Sequence, residues 1–164
     1  MKALEVAKIV TTYFDLNGDL LTNKKLQKLL YYIEAWGLVY TGSIVEDDFE
    51  AWVHGPVSVE VYQAYKKFGY SPIVNEYEAK ESASTQLNKL LGQSILLPEQ
   101  KDLIFAVLNK YGSLSSFELE SLSHSERPWQ EARKGLSPFD TSSTIIDKQI
   151  MKEYYSSILN EQKG

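Results

Sequence analysis

The stretch Leu21–Gly42, LTNKKLQKLLYYIEAWGLVYTG, limits the fold more than any other part of this chain. Thr22 carries a hydroxyl suited to accept from the free N–H groups at a helix start, and Gly42 is the residue type that commonly ends a helix. Between them Leu26, Leu29, Leu30, Ile33, Trp36 and Tyr40 recur at helical spacing along one stripe. So continuous a stripe has to be buried. On the opposite side Lys24, Lys28, Tyr31 and Ala35 fall three or four residues apart, which places an aromatic ring beside two cations on a face expected to point outward.

The remaining chain reads mostly as helices around this one. Ala3, Val6, Ala7, Val10, Tyr13 and Phe14 form the apolar face of a first helix that stops at Asn17-Gly18-Asp19. The short connection predicts an antiparallel pair with the second helix. After Gly42 the period changes: Phe49, Ala51 and Val53 alternate with Glu50, Trp52 and His54, as in a short strand. Pro56 suits the first turn of a third helix running to Phe68, with Val57, Val61, Ala64 and Phe68 facing the core and Val59, Tyr62 and Lys66 pointing elsewhere. Residues 70–82 show no period and read as a loop. Helical patterning resumes with Leu87, Leu90 and Leu91, then with Pro98–Tyr111, whose wide apolar face predicts deep burial. Ser115 and Glu118 form a capping-box pattern for a short helix, Pro128 opens another that Gly135 ends, Thr144–Ile146 reads as extended, and Asp147 caps a last helix. The expected class is mainly α, a single compact domain over residues 1–164 with a small β-hairpin or short sheet.

Composition narrows the function classes. The absence of cysteine rules out disulfides and thiolate chemistry and fits a reducing compartment, and no apolar run approaches the roughly 18 residues of a membrane span. The expected location is the cytoplasm. A net charge of −5 opposes binding to nucleic-acid phosphates, although Lys24, Lys25, Lys28, Lys66 and Lys67 could form a local basic surface. Residues 98–120 match the length of a helix-turn-helix, but Glu118 and Glu120 in the recognition position would repel the DNA backbone.

For catalysis the material is two histidines, His54 before Gly55-Pro56 and His124 within Ser123-His124-Ser125-Glu126. Histidine beside serine invites a nucleophile reading, yet adjacent residues in a turn point apart, and a triad is assembled from distant segments. A metal site would need carboxylates to complete it, since neither histidine has a ligand partner one helical turn away. Bonds from each imidazole to backbone groups at a turn are the simpler reading. Three tryptophans and eleven tyrosines supply amphipathic aromatic surface of the kind that anchors protein interfaces, and that packs equally well in a monomer.

Three blocks carry a family resemblance: LTNKKLQKLLYYIEAW at Leu21–Trp36, FEAWVHGPVSVEVYQAYKKFG at Phe49–Gly69 and YGSLSSFELESLSHSERPWQEAR at Tyr111–Arg133. Together, and in this order, they resemble the SocA-like antitoxin or Panacea domain, also known as a phage-associated protein family. The resemblance implies a mostly helical bacterial or phage protein that neutralises a partner toxin, typically from an adjacent gene, by direct binding. One branch of the family delivers its toxin to a ClpXP-type protease. The extra DNA-binding domain of many members is not expected here, and the family supplies no catalytic residue or cofactor to carry over. The expectation is therefore a non-enzymatic antitoxin-like binding protein, with a metal-dependent or histidine-based hydrolase and a nucleic-acid-binding regulator as alternatives. The rows Lys24, Lys28, Tyr31 and Val59, Tyr62, Lys66 are the candidate partner-binding residues; packing against the C-terminal helices is the other use they could have.

Overall fold

The computed structural model describes residues 1–78 and 81–163. In chain order the elements are α1 (Ala3–Leu16), α2 (Asn23–Tyr40), β1 (Glu50–Trp52), β2 (Gly55–Val57), α3 (Val59–Tyr65) with a 3₁₀ turn at Lys66–Phe68, α4 (Ala83–Gln93), α5 (Pro98–Tyr111), α6 (Ser116–His124), α7 (Arg127–Ala132) and α8 (Lys148–Lys163). The fold is mainly helical, with one two-stranded antiparallel hairpin among the described residues. Residues 70–78 and 81–82 have no regular structure, and Ala79 and Lys80 of the expected loop lie outside the described residues.

Helix α2 is the axis of the molecule. Thr22 Oγ1 accepts from Lys25 N at 3.3 Å, the expected N-cap. Helices α1, α3, α5, α6 and α8 and strand β2 all pack against α2. The enclosure corrects the picture of an outward face, because Lys28, Tyr31 and Ala35 are as buried as the leucine stripe. The amphipathic pattern misleads here because the side opposite the stripe is covered by the hairpin and the C-terminal helices. One hydrophobic cluster draws on α1–α6 and α8, with Trp129 and Ala132 of α7 packed against it.

A helix enclosed in this way must satisfy its polar side chains internally. Glu34, with no exposed surface, accepts from Ile44 N at 2.8 Å, Val45 N at 3.2 Å, Ser43 Oγ at 2.8 Å and Lys148 Nζ at 2.6 Å. One carboxylate thereby ties the 43–45 loop and the start of α8 to α2. The close approach depends on Gly37, where a Cβ would lie 3.0 Å from Ile44 Cγ1. Glu126, 5% exposed, accepts from Tyr32 at 2.6 Å and Tyr155 at 2.8 Å, and so joins α2, α7 and α8.

The third helix begins later than its sequence implies. Pro56 lies in β2 opposite Ala51, in the register Glu50↔Val57, Ala51↔Pro56, Trp52↔Gly55. Its carbonyl turns away from β1 toward Lys28, so the N–H that proline lacks falls on the outer edge of the hairpin, where no ladder bond is lost. Helix α3 is short, and of its expected core face only Val57 and Val61 are buried, with Ala64 exposed and Phe68 half-buried. Residues 144–146 run along β1, with Ala51 N donating to Thr144 O at 2.9 Å and Ile146 N to Phe49 O at 2.8 Å. Asp147 Oδ1 accepts from Gln149 N at 2.7 Å and opens α8 as the sequence indicates.

Replacing Glu34 with alanine should cost about 3–5 kcal/mol, since it removes the counter-charge of Lys148 and strands two buried N–H groups. Urea denaturation at neutral pH measures this, and a loss below about 1 kcal/mol would contradict the hub role.

Candidate functional site

The hairpin brings the chain's chemically distinctive residues together on one side of α2. His54 at its tip meets Glu120 of α6, Nδ1 to Oε1 at 2.6 Å, and Lys24 Nζ reaches the same oxygen at 3.3 Å. Burial would raise the Glu120 carboxyl, but His54 and Lys24 outweigh it and hold the group below its ordinary value. His124, at the end of α6, stacks on Trp129 with ring centroids 4.0 Å apart and planes 18° from parallel. Its Nε2 is buried without a hydrogen-bond partner, and burial pushes the imidazole below its ordinary pKa despite the attraction of Glu120.

Beneath the tip lies Lys28, 1% exposed. Its amine donates to Pro56 O at 3.4 Å, a long contact for a group removed from water. Burial lowers it to about 7, with Lys24 adding to the shift and Glu120 opposing it. The lysine stem fits because residue 55 is glycine: a Cβ there would lie 2.5 Å from Lys28 Cε and 3.0 Å from Ser123 Oγ, and its φ of 111° disfavours other residues.

On the outer face of the hairpin is a groove of about 510 Å³, walled by Trp52, Val53 and Val57 and rimmed by Glu50, His54 and residues 141–143. Trp52 is held in place from three sides. Its Nε1 donates to Glu50 Oε2 at 2.6 Å, its carbonyl accepts from Trp129 Nε1 at 2.9 Å, and its ring meets Tyr62 edge-on at 4.9 Å. Arg133, buried, donates to Ala51 O at 2.9 Å and to Asp140 O at 2.6 Å, and so fixes the groove's loop to its strand.

The six candidate partner-binding residues divide. Val59 and Lys66 are exposed, and Lys24 and Tyr62 are half-exposed. Lys28 and Tyr31 are enclosed, which corrects their placement in a surface row. Tyr31 meets Tyr32, Phe49 and Tyr155 edge-on, with its hydroxyl 3.2 Å from that of Tyr155, and burial drives its pKa far upward. Packing against the C-terminal part of the chain is the use the fold makes of it.

His54 and His124 do come into one polar neighbourhood, as the hydrolase alternative requires. The nucleophile does not follow: Ser123 Oγ donates to Glu120 O at 3.0 Å and Ser125 Oγ to Leu122 O at 2.7 Å, so neither meets an imidazole. Among the described residues no group of three or more His, Asp or Glu side chains is placed to hold a metal ion. Helix α6 packs on α2, α7 and β2, with Glu120 directed to His54 and Lys24. Among the described residues no helix is long and apolar enough to cross a membrane.

Comparison with known proteins bears on this arrangement. Residues 26–130 match the model of the antitoxin SocA-like Panacea domain, a span that begins within α2 and takes in the hairpin, Lys28, both histidines and Glu126. The chain belongs to the SocA-like Panacea family. A relative in Caulobacter vibrioides (strain NA1000 / CB15N), named Antitoxin SocA, is 34% identical over 122 residues, covering 70% of this chain and 61% of the relative. The chain thus spans about three fifths of that relative's length. No solved structure matches. Two of the SocA-like blocks, at 49–69 and 111–133, meet at the hairpin and α6, and the block at 21–36 supplies Lys28 beneath them. The roles of Glu120, Glu126 and Arg133 are not legible in spacing or motif; their one visible mark is charge lying within the SocA-like block at 111–133.

The buried Lys28 amine makes stability depend on pH with a definite sign. Unfolded, the amine keeps its proton to about 10.5; folded, only to about 7. Below pH 7 both states are charged and the full penalty applies, whereas between 7 and 10.5 the unfolded chain holds more protons and folding gains as pH rises. Lys28→Met should therefore be more stable than the parent at pH 6, by on the order of 3 kcal/mol, with the advantage shrinking toward pH 10. Denaturation midpoints of the two proteins across that range measure it; a constant difference would refute a buried titrating amine.

Proposed function

We propose that this protein is the antitoxin of a toxin–antitoxin pair, acting as one domain over residues 1–164 in the cytoplasm. It neutralises a protein toxin, encoded by an adjacent gene, by occluding the toxin's working surface rather than by catalysis. Membership of the SocA-like family, with a relative named Antitoxin SocA, carries this reading. The toxin contact runs across the hairpin: the groove takes an apolar anchor from the toxin against Trp52, whose ring Tyr62 supports edge-on, and Lys24, Tyr62, Val59 and Lys66 extend the contact beyond the groove. Amphipathic aromatics beside a ready concavity favour this surface, because they bury much area at small cost in side-chain entropy. Lys28 and Tyr31 contribute from inside, by holding the hairpin and α8 in place. Delivery of the captured toxin to a ClpXP-type protease is a second step that degradation assays separate from binding.

The test is co-expression of the adjacent gene product with this chain. Growth arrest by that product, relieved by the intact chain, is the expected result. Tyr62→Ala should abolish relief and leave the circular dichroism and melting temperature near those of the parent. Tyr31→Ala should lose both relief and folding, since truncating a buried aromatic costs about 3–5 kcal/mol. An adjacent product that neither arrests growth nor binds the chain would remove the antitoxin reading. Full relief by a folded Tyr62→Ala variant would remove the hairpin as the contact surface.

A further inference from the structure

The Lys28 enclosure has a property that toxin binding alone does not require. Its stem lies against the Gly55 backbone, which also abuts Ser123, and its amine makes one hydrogen bond, of 3.4 Å, to the Pro56 carbonyl. The charges facing it come from three elements: Lys24 on α2 itself, Glu120 and His124 on α6, and His54 at the hairpin tip. Helix α3 presents no charge there, only the neighbouring Ser58, whose buried hydroxyl has no partner. Helices α5 and α8 meet α2 through Tyr111 and Tyr155, and α7 through Glu126, away from Lys28. Glu120 is thus the one carboxylate near Lys28 among the described residues, and Lys24 and His54 already share its Oε1.

A charged Lys28 is therefore left in a buried enclosure with no free counter-ion and with Lys24 beside it. Relief comes from admitting water, and the wall with the fewest ties to the rest of the chain is β2. Strand β1 is tied down by Thr144, Arg133 and Trp129, whereas β2 is held by β1, by Lys28 at Pro56 and by Ser58 N donating to Gln27 Oε1 at 2.9 Å, with the His54–Glu120 contact of 2.6 Å at the tip as a further clamp. We propose that Lys28 is a proton-operated latch on the hairpin: when its amine takes up a proton, β2 and the tip lift from α2 and α6, and the groove they carry is remodelled. Burial places the amine's transition at about pH 7, and His124, also lowered by burial, lies beside it. The latch tightens as pH rises above 7, where the enclosed amine sheds its proton, and is weakest at and below neutrality. It is a property of this chain alone and does not depend on the identity of a partner.

Amide hydrogen exchange on the full chain, corrected for intrinsic rates, tests it. Between pH 8 and pH 6 the protection of residues 55–58 should fall ~10-fold, nearly all of it above the amine's midpoint, where an opened Lys28 holds its proton and an enclosed one does not, while α1 amides stay constant. In Lys28→Met protection should be flat over the same range, and in His124→Gln the fall should remain. A wild type with no change, a fall that survives in Lys28→Met, or one that disappears in His124→Gln each overturns the proposal. Should Lys28→Met fail to fold, NMR of the unaltered chain decides. The Lys28 amine and the 55–58 amides should titrate with a common midpoint, and separate midpoints overturn the latch.

Discussion

Helix α2 has almost no side facing water, and every polar group on its enclosed turns has to find a partner inside the protein. An unpaired polar or charged group in such a place costs more than the hydrophobic contacts beside it return, so neighbouring elements are positioned by the partners they bring. Glu34 draws in the 43–45 loop and Lys148. Gln27 holds Asn23 and accepts from Ser58 at the hairpin's end. Tyr32 meets Glu126, which in turn receives Tyr155 of α8. The hydrophobic stripe explains why α2 is central, and these polar contacts explain why its neighbours take the places they do.

Lys28 is the exception among these groups, and the exception coincides with the candidate site. Its partner is a single carbonyl, its counter-charge is already engaged, and a neighbouring histidine has a buried nitrogen without a partner. Incomplete satisfaction of this kind tends to mark functional positions rather than scaffold. The hairpin rests on that weak point and carries the groove on its other face, so the chemistry below and the surface above are mechanically linked through a few residues around Gly55.

Much of the fold could be read from residue patterns alone. The Thr22 cap, the Ser115–Glu118 capping box, Pro98 and Pro128 in first turns and Asp147 before α8 all act through neighbours within four residues, and all are found where expected. Pro56 shows the limit of that approach. Proline suits both a first helical turn and the outer edge of a strand, and only the pairing with Ala51 decides between them. Lys28 and Tyr31 show the same limit for burial, since spacing reveals which residues share a face but not whether something covers it.

The features legible in residue order are local: the helical class, the leucine stripe that makes α2 a core element, the caps that bound the helices, and signature blocks specific enough to indicate the SocA-like family. Folding alone settles which groups from distant segments meet: His54 with Glu120, Glu126 with Tyr32 and Tyr155, and Lys28 beneath Gly55. The physical reason is range. Caps and periodicity depend on backbone geometry over a few residues, whereas the protonation of a buried amine depends on every dipole and charge that folding gathers around it from remote parts of the chain.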